Sequence, residues 1–388
     1  MKHTVLVIDS LEKKLIDVVA TLRRQAHIVH YIMMDNLKNV DLKHMKFDVT
    51  VVYFNIEDPV ATTFIEENKN RSNGGVKIVL CSYDESDYCK ELIIEESTKI
   101  MLYSKWNQDA VLDAIQRVFS YKELVGRDNL EIILDKIKQV PTLPDIYFDV
   151  NKMIVEKADM DLISKRIESD VAIASRILRI ANSAYYGART GSIHQALMFL
   201  GTENIKNIII SMVVFDNQST VCDVKVLWQH AELTNKLANY IYYIKHMRSM
   251  PASYSSVGLL HSIGLVLLLT VFSDSYLPVI EQLNQTSETL EELEKRVLNY
   301  THTDLGGVLL DWWNLPPGLI YGAFYYRRPL ETEPAYAEIT CIVHLASHLS
   351  WKILGDTTFI GALDQEALDY LKISDHEVEQ IMQNYQAK

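Results

Sequence analysis

Short, nearly unbroken apolar runs alternate with helical patterns in the first part of the chain, and helical patterns alone fill the rest. "TVLVID" (Thr4–Asp9), "FDVTVVYF" (Phe47–Phe54), "VKIVLCS" (Val76–Ser82) and "KIMLYSK" (Lys99–Lys105) have the length and continuity of strands buried on both faces. Between the first two, Leu11, Leu15, Val18, Val19 and Leu22 recur at helical spacing. "NQDAVLDAIQRVFSYKEL" reads as a helix after the last strand. Strands separated by helices predict a parallel, doubly wound α/β sheet. Such sheets place functional groups at the carboxyl ends of their strands. That singles out Asp9, Tyr53–Asn55, Cys81–Ser82 and Lys105.

From Glu123 onward the pattern is helical. A connecting helix containing "NLEIILDKIKQV" stops at "PTLP" (Pro141–Pro144), where two prolines forbid helical geometry. "DVAIASRILRIANSAYYG" (Asp170–Gly187) follows, with Asp170 placed as N-cap and Gly187 as terminator. Val171, Ala174, Leu178 and Ala181 fall on one face of that helix. The most apolar run, Val257 to Phe272, holds "GLLHSIG" and predicts one buried core helix, too short to span a bilayer. "SETLEELEKR" predicts a solvated helix, and of Trp312 and Trp313, which straddle a later helix, at least one should be buried. The expected organisation is an α/β domain over 1–122, a connecting helix over 123–140, a helical domain over 141–350 and a helical tail over 351–388 packed on or extending it.

Charge and cysteine content narrow the field. The 388 residues carry a formal net charge of −13, which repels phosphate backbones and sets nucleic acid aside as a partner. The four cysteines, Cys81, Cys89, Cys222 and Cys341, form no C-x-x-C pair and suggest neither zinc nor a disulfide framework. A reduced, cytoplasmic setting fits, with no membrane association. "MKHTVLVIDS" reaches Asp9 too early for a secretory apolar segment.

The first 122 residues resemble a bacterial response-regulator receiver domain, in strand order and spacing more than in identity. The resemblance implies a flavodoxin-like fold and an acidic pocket at the sheet's carboxyl edge. "VLVIDS" keeps Asp9 but puts Ser10 where the family has a second aspartate. Tyr53 stands at the phosphoacceptor position, or Asn55 if the register slips by two. Cys81 or Ser82 takes the Thr/Ser place, and Lys105 keeps the family's lysine. Acyl-phosphate formation needs a carboxylate nucleophile and further carboxylates to hold Mg²⁺. Tyr53 and Ser10 supply neither. Asp9 and Lys105 are expected to form an ion pair, and Asp58, beyond the strand end, is a weak substitute. The expectation is a pseudo-receiver that offers a protein surface, for dimerisation among other uses.

A second resemblance covers residues from about Leu134 to His348. "VPTLP", "DVAIASRILRIANSAYYG", "SIHQALMFLG", "LWQHAELT", "GLLHSIG", "THTDLGGVLLDWWNLP" and "CIVHLASHLS" follow in the order of the HDOD domain, an all-α, HD-superfamily-like output domain of bacterial signalling proteins. The resemblance marks Asp170, Asn182, Ser183, Gly187 and Gly201 as signature positions. Catalytic HD relatives bind divalent metals through histidines and aspartates that converge on one cation and activate water. Here His230 and His261 stand in the histidine places, while Ser262 and Ser347 replace the two aspartates. Tyr325 and Tyr326 take the place of a further His-His pair, and His302 remains. His344 and His348 are i, i+4, but Leu345 occupies the glutamate place of a zincin motif.

These replacements imply a vestigial metal site with no cofactor and no catalysis. The expected role is regulation by protein–protein contact in a bacterial signalling pathway, with a link to cyclic di-GMP or motility control. Three alternatives stay open: a metal-dependent phosphohydrolase, a cavity that senses a nucleotide or cyclic dinucleotide without turnover, and a homodimer.

Overall fold

The computed structural model describes residues 2–10, 12–40, 42, 45–55, 63, 76–81, 98–102, 107–139, 145–182, 190–215, 223–251, 253–283, 285–313, 315–355 and 358–386. Two compact units divide the chain between Val140 and Pro141.

The first unit is built on five parallel strands: β1 (Thr4–Asp9), β2 (Ile28–Met33), β3 (Val49–Tyr53), β4 (Val76–Cys81) and β5 (Thr98–Leu102). Their order, β2-β1-β3-β4-β5, is consistent with the flavodoxin-like class. β2 was not apparent from the sequence. Its "IVHYIM" carries His30 and Tyr31 and lies at the sheet edge, where the apolar run is weakest. Helix α1 (Ile16–Arg24) begins five residues after Leu11, the start of the predicted segment, because Leu15 closes the β1–α1 loop with a buried side chain. Helices α2 (Gln108–Val125) and α3 (Arg127–Gln139) follow the sheet.

One sheet face, bearing Leu6, Ile8, Val52, Phe54, Val79 and Cys81, is covered by Met34, Leu37 and Phe47, with Leu42 and Met45 beside them. A 3₁₀ turn (Met34–Asn39) together with Leu42, Met45 and Phe47 after it thus does the work of a helix. At the amino edge, Lys122 is buried and donates to the Asp48 carboxylate at 3.1 Å and to its carbonyl at 3.0 Å. This ties α2 to the start of β3.

The second unit is helical. Its described elements are α4 (Asp145–Val155), α5 (Met160–Glu168), α6 (Val171–Ala181), α7 (Ile193–Leu200), α8 (Thr202–Phe215), α9 (Val224–His246), α10 (Val257–Leu260) and α11 (Ile263–Thr270). α12 (Ser273–Leu283), α13 (Leu290–Leu298), α14 (His302–Trp312), α15 (Pro317–Tyr325), α16 (Ala337–Leu354), α17 (Gln365–Leu371) and α18 (Asp375–Gln386) complete it. Asp170 caps α6, its carboxylate accepting from the Ile173 N–H at 3.1 Å. The buried face of α6 is Ile173, Ile177, Ile180 and Ala181, one step round from the expected Val171–Ala174–Leu178 stripe. The bulkier isoleucines take the core, and Ala174 and Leu178 stay partly exposed. Asn182 clamps the end of α6 to the start of α7, donating to the Thr190 carbonyl (2.7 Å) and accepting from its N–H (2.6 Å). Gly201 ends α7 at φ +78°. Ser183 and Gly187 lie outside the described residues. Trp312 and Trp313 both stay partly exposed at the frayed end of α14, contrary to the expectation that one is buried.

The apolar run Val257–Phe272 is not one helix. It breaks at His261–Ser262, between α10 and α11, and Ser262 leaves helical geometry at φ −102°, ψ 18°. The glycines of "GLLHSIG" explain where this turn sits. A Cβ on Gly258 would overlap the backbone of Asn235 in α9, and one on Gly264 would overlap the carbonyl oxygen of His302 in α14. Both neighbours are backbone and have no rotamer by which to move. Buried amides hold the entry to the turn: Asn239 donates to the Ser255 carbonyl (2.7 Å), Asn207 to the Ser256 hydroxyl (2.7 Å), and the Gly258 N–H to Asn235 (3.1 Å). Among the described residues, no single helix is long and apolar enough to cross a membrane.

Overpacking against fixed backbone costs about 1–3 kcal/mol and sometimes more. Gly264→Ala should therefore destabilise the helical unit by about 3 kcal/mol. Denaturant unfolding followed by tryptophan fluorescence checks this, since Trp228, Trp312, Trp313 and Trp351 all lie in that unit. An unchanged midpoint would show that the two helices can part without cost.

Candidate functional site

At the carboxyl edge of the sheet, Asp9 ends β1 and Tyr53 ends the adjacent β3. Asp9 is fully buried. One carboxylate oxygen accepts from the Ser10 N–H (2.8 Å); the other accepts from the Leu15 N–H (2.8 Å) and the Tyr31 hydroxyl (2.9 Å). Burial and the Asp9 carboxylate push Tyr31 up to about 12, so it remains a neutral donor. The carboxylate is thus spent on local backbone and on β2. Ser82, Lys105 and Asp58 lie outside the described residues, and with them the expected Asp9–Lys105 pair.

In the helical unit, α9 supplies His230, the α10–α11 turn supplies His261 and Ser262, α14 opens with His302, and α16 supplies Ser347. All are buried. His230 and His261 face each other with ring centroids 5.2 Å apart, and His230 stacks on Trp351 at 3.8 Å. Tyr326, just past the end of α15, stands edge-on to His261 at 4.8 Å. The structure therefore brings His230, His261, His302 and Ser347 into one cluster, joined by Tyr326.

The hydrogen-bond partners assign the tautomers. A carbonyl only accepts, so the His261 Nδ1–H donates to the Gly258 carbonyl (2.7 Å), and Nε2 accepts from the Ser347 hydroxyl (3.2 Å). His230 donates from Nε2 to the Ser347 carbonyl at 3.2 Å. The His302 Nδ1–H donates to the Glu294 carboxylate at 2.7 Å, and its Nε2 accepts from the Tyr326 hydroxyl at 2.7 Å. Each Nε2, the atom that would bind a cation, is already engaged by a protein group. All three engagements come from Ser347 and Tyr326, two of them through hydroxyl groups, and these residues stand where the family resemblance places acidic or imidazole ligands.

Glu294 was missed in the sequence, and it corrects the picture of "SETLEELEKR" as a merely solvated helix. It is fully buried. It accepts from His302 through both side chain and backbone N–H (3.0 Å), and from the Tyr276 hydroxyl (2.6 Å). Its neighbour Glu291 pairs with Arg327 at 3.1 Å, and Arg327 also donates to the Phe359 carbonyl at 2.6 Å. The signal was present: Glu294 lies four residues after Leu290 and three before Val297, within the apolar stripe of α13. The carboxylate sits on the Nδ1 side of His302, behind the ring, and does not replace the lost aspartates.

This donor set does not fit a divalent cation. A cation needs free imidazole lone pairs and converging anions, and here hydroxyl protons occupy the lone pairs of His261 and His302. No group of three or more His, Cys, Asp or Glu among the described residues could hold a metal ion. Of the i, i+4 pair, His344 is committed at both nitrogens, while His348 is bonded at Nδ1 and its buried Nε2 has no partner among the described residues. His344 donates to the Tyr326 carbonyl (2.7 Å) and accepts from the Asp364 N–H (2.9 Å), and His348 donates to the Gly361 carbonyl (2.9 Å).

The second unit is thus a helical domain with a buried histidine cluster drawn from α9, the α10–α11 turn and α14. Residues 140–329 match the family model described as the HDOD domain, so this unit carries an HDOD domain. A curated protein from Treponema pallidum (strain Nichols), described as uncharacterized, is 26% identical over 222 residues, covering 54% of this chain and 43% of that protein. The chain thus spans less than half the length of this relative. An HDOD domain protein with unknown function from Geobacter sulfurreducens has a similar solved structure, with 21% identity and a TM-score of 0.50 over 63% of this chain and 82% of that one. So does a protein provisionally assigned to signal transduction from Marinobacter aquaeolei VT8, with 17% identity and a TM-score of 0.50 over 80% of this chain and 76% of that one. At these identities the likeness is one of fold.

Burial, with the positively charged Arg327 nearby, pushes His261 down to about 3; burial beside His261 holds His230 well below the usual histidine range. The native state therefore excludes protons that the unfolded chain binds below about pH 6.5. Stability is complete above that pH and falls as pH drops toward 3, by about 1.4 kcal/mol per pH unit for each histidine. In His261→Asn, the pH slope of unfolding free energy between pH 4 and 6 should fall by about one proton. An unchanged slope would mean that His261 is not neutral in the fold. Tyr326→Phe removes the donor to a buried lone pair and should cost about 1–3 kcal/mol, read from the denaturation midpoint.

Proposed function

We propose that this HDOD-domain protein is a non-catalytic regulator of a bacterial signalling pathway, acting in the cytoplasm through protein contacts. The observation that supports this reading most directly is the engagement of every cluster Nε2 by protein groups. Hydrolysis in an HD-type site requires a metal-activated water, and the Nε2 atoms of His261 and His302 have no lone pair to offer without first breaking buried hydrogen bonds. The first unit fits a pseudo-receiver: Tyr53 occupies the strand end where a phosphoacceptor carboxylate would be, and the Asp9 carboxylate accepts from Ser10, Leu15 and Tyr31. On this reading each unit keeps the shape of a signalling module and has lost its chemistry. A partner biases the protein's conformation by differential binding. Cyclic di-GMP and motility control are the pathways we assign it to, on the resemblance of the helical domain.

Metal content and phosphoesterase activity test the reading together. The purified protein, dialysed against each of Mn²⁺, Fe²⁺ and Zn²⁺, should retain far less than one equivalent. It should hydrolyse neither a generic phosphodiester nor cyclic di-GMP. Stoichiometric metal with an activity that His261→Asn abolishes would establish a phosphohydrolase instead. A saturable rise in melting temperature with a cyclic dinucleotide, without turnover, would replace protein contact by ligand sensing as the input.

A further inference from the structure

The open edge of the receiver-like sheet has properties that nothing above uses. Among the described residues, β2 is an edge strand, paired on one side with β1. The Ile28 N–H donates to the His3 carbonyl at 2.9 Å, which fixes the hydrogen-bond phase. In a parallel ladder alternate residues bond to the same neighbour. Ile28, His30 and Ile32 therefore turn their backbone groups toward β1, and Val29, Tyr31 and Met33 turn theirs outward. The side chains do not block this edge. Ile32 packs into the face covered by Met34, Leu37 and Phe47, with His30 against Phe47 at 5.5 Å, and Tyr31 turns to Asp9 on the opposite face. Ile28 is 42% exposed. Natural edge strands are usually protected by lysine, proline, a bulge or an inward charge. "IVHYIM" carries none of these.

We propose that β2 is a strand-pairing edge and that its occupant is a second copy of this chain, joined antiparallel about a twofold axis through Tyr31. The phase makes the edge self-complementary. With Tyr31 opposite its own counterpart, Val29 faces Met33 of the other copy, and all of these residues point their backbone groups across the gap. The pairing is then of the hydrogen-bonded antiparallel type, repeated on both sides of the axis.

The charges at the two ends match in the same register. Arg23 is exposed and already lies at the open edge, its guanidinium donating to the Val29 carbonyl at 3.3 Å. The exposed Asp35 follows β2 at its other end. In the twofold arrangement, Asp35 of one copy falls two residues from Val29 of the other, within a few ångströms of that guanidinium, and the contact occurs twice. A parallel pairing would leave both arginines at one end and both aspartates at the other. This inference stands apart from the reading of the histidine cluster, since dimer mass and metal content are separate readouts.

Sedimentation of the full chain at tens of micromolar should give twice the 44.5 kDa monomer mass. Val29→Pro removes an outward N–H and leaves the β1 ladder intact. Proline is tolerated at such edge positions. This variant should keep its circular dichroism and melting temperature while the dimer dissociation constant rises about tenfold or more. Arg23→Glu and Asp35→Arg should each weaken the dimer, and the double variant should recover it. Hydrogen exchange at Val29, Tyr31 and Met33 should slow as protein concentration rises. A wild-type monomer at these concentrations overturns the proposal. So does a dimer that a folded Val29→Pro variant retains, or charge reversals that do not rescue each other.

Discussion

The helical unit depends on one close approach, in which the His261 turn is inserted between two helix backbones where no Cβ fits. Gly258 lies against α9 and Gly264 against α14. Everything at the cluster follows from that distance. It puts His261 within hydrogen-bonding range of Ser347 on α16, and it brings the first turn of α14, with His302, to the same place. The buried Asn and Ser side chains that hold residues 255–258 act on the same segment, so steric fit and polar satisfaction specify one geometry.

Within that geometry, hydroxyl protons do what a cation would otherwise do for the imidazoles. A buried lone pair with no partner is costly. Ser347 and Tyr326 meet the need at His261 and His302 with neutral hydrogen bonds, while the Ser347 carbonyl accepts from His230. Burial then keeps His230 and His261 uncharged. The result is a polar cluster that is complete without a ligand. Glu294 holds the His302 ring and the Tyr276 hydroxyl in place.

Much of this was legible in the chain. Four of the five strands showed as continuous apolar runs, and the order of the helical segments identified the domain that the family model matches. What was missed has physical reasons. β2 mixes His and Tyr into a short run because it lies at an edge, so periodicity lost contrast there. The break at His261–Ser262 follows from a tertiary approach, and locally the run is apolar enough for an unbroken helix. Glu294 was read with its charged neighbours, although its spacing from Leu290 and Val297 put it on the buried side of α13. The identity of the three clustered histidines could be read, but which atom each offers depends on Gly258, Ser347, Glu294 and Tyr326, and only the fold brings those together.

The segment around Phe359–Asp364 is stitched to the core by Arg327, His344 and His348. The family model ends at residue 329, thirty residues earlier. A recombinant fragment cut at that border would strand Arg327 without the Phe359 carbonyl and remove α16, with Ser347, from the cluster. The smallest piece able to stand alone therefore runs past Asp364, and boundaries for expressing this module are better drawn from its stitches than from its signature.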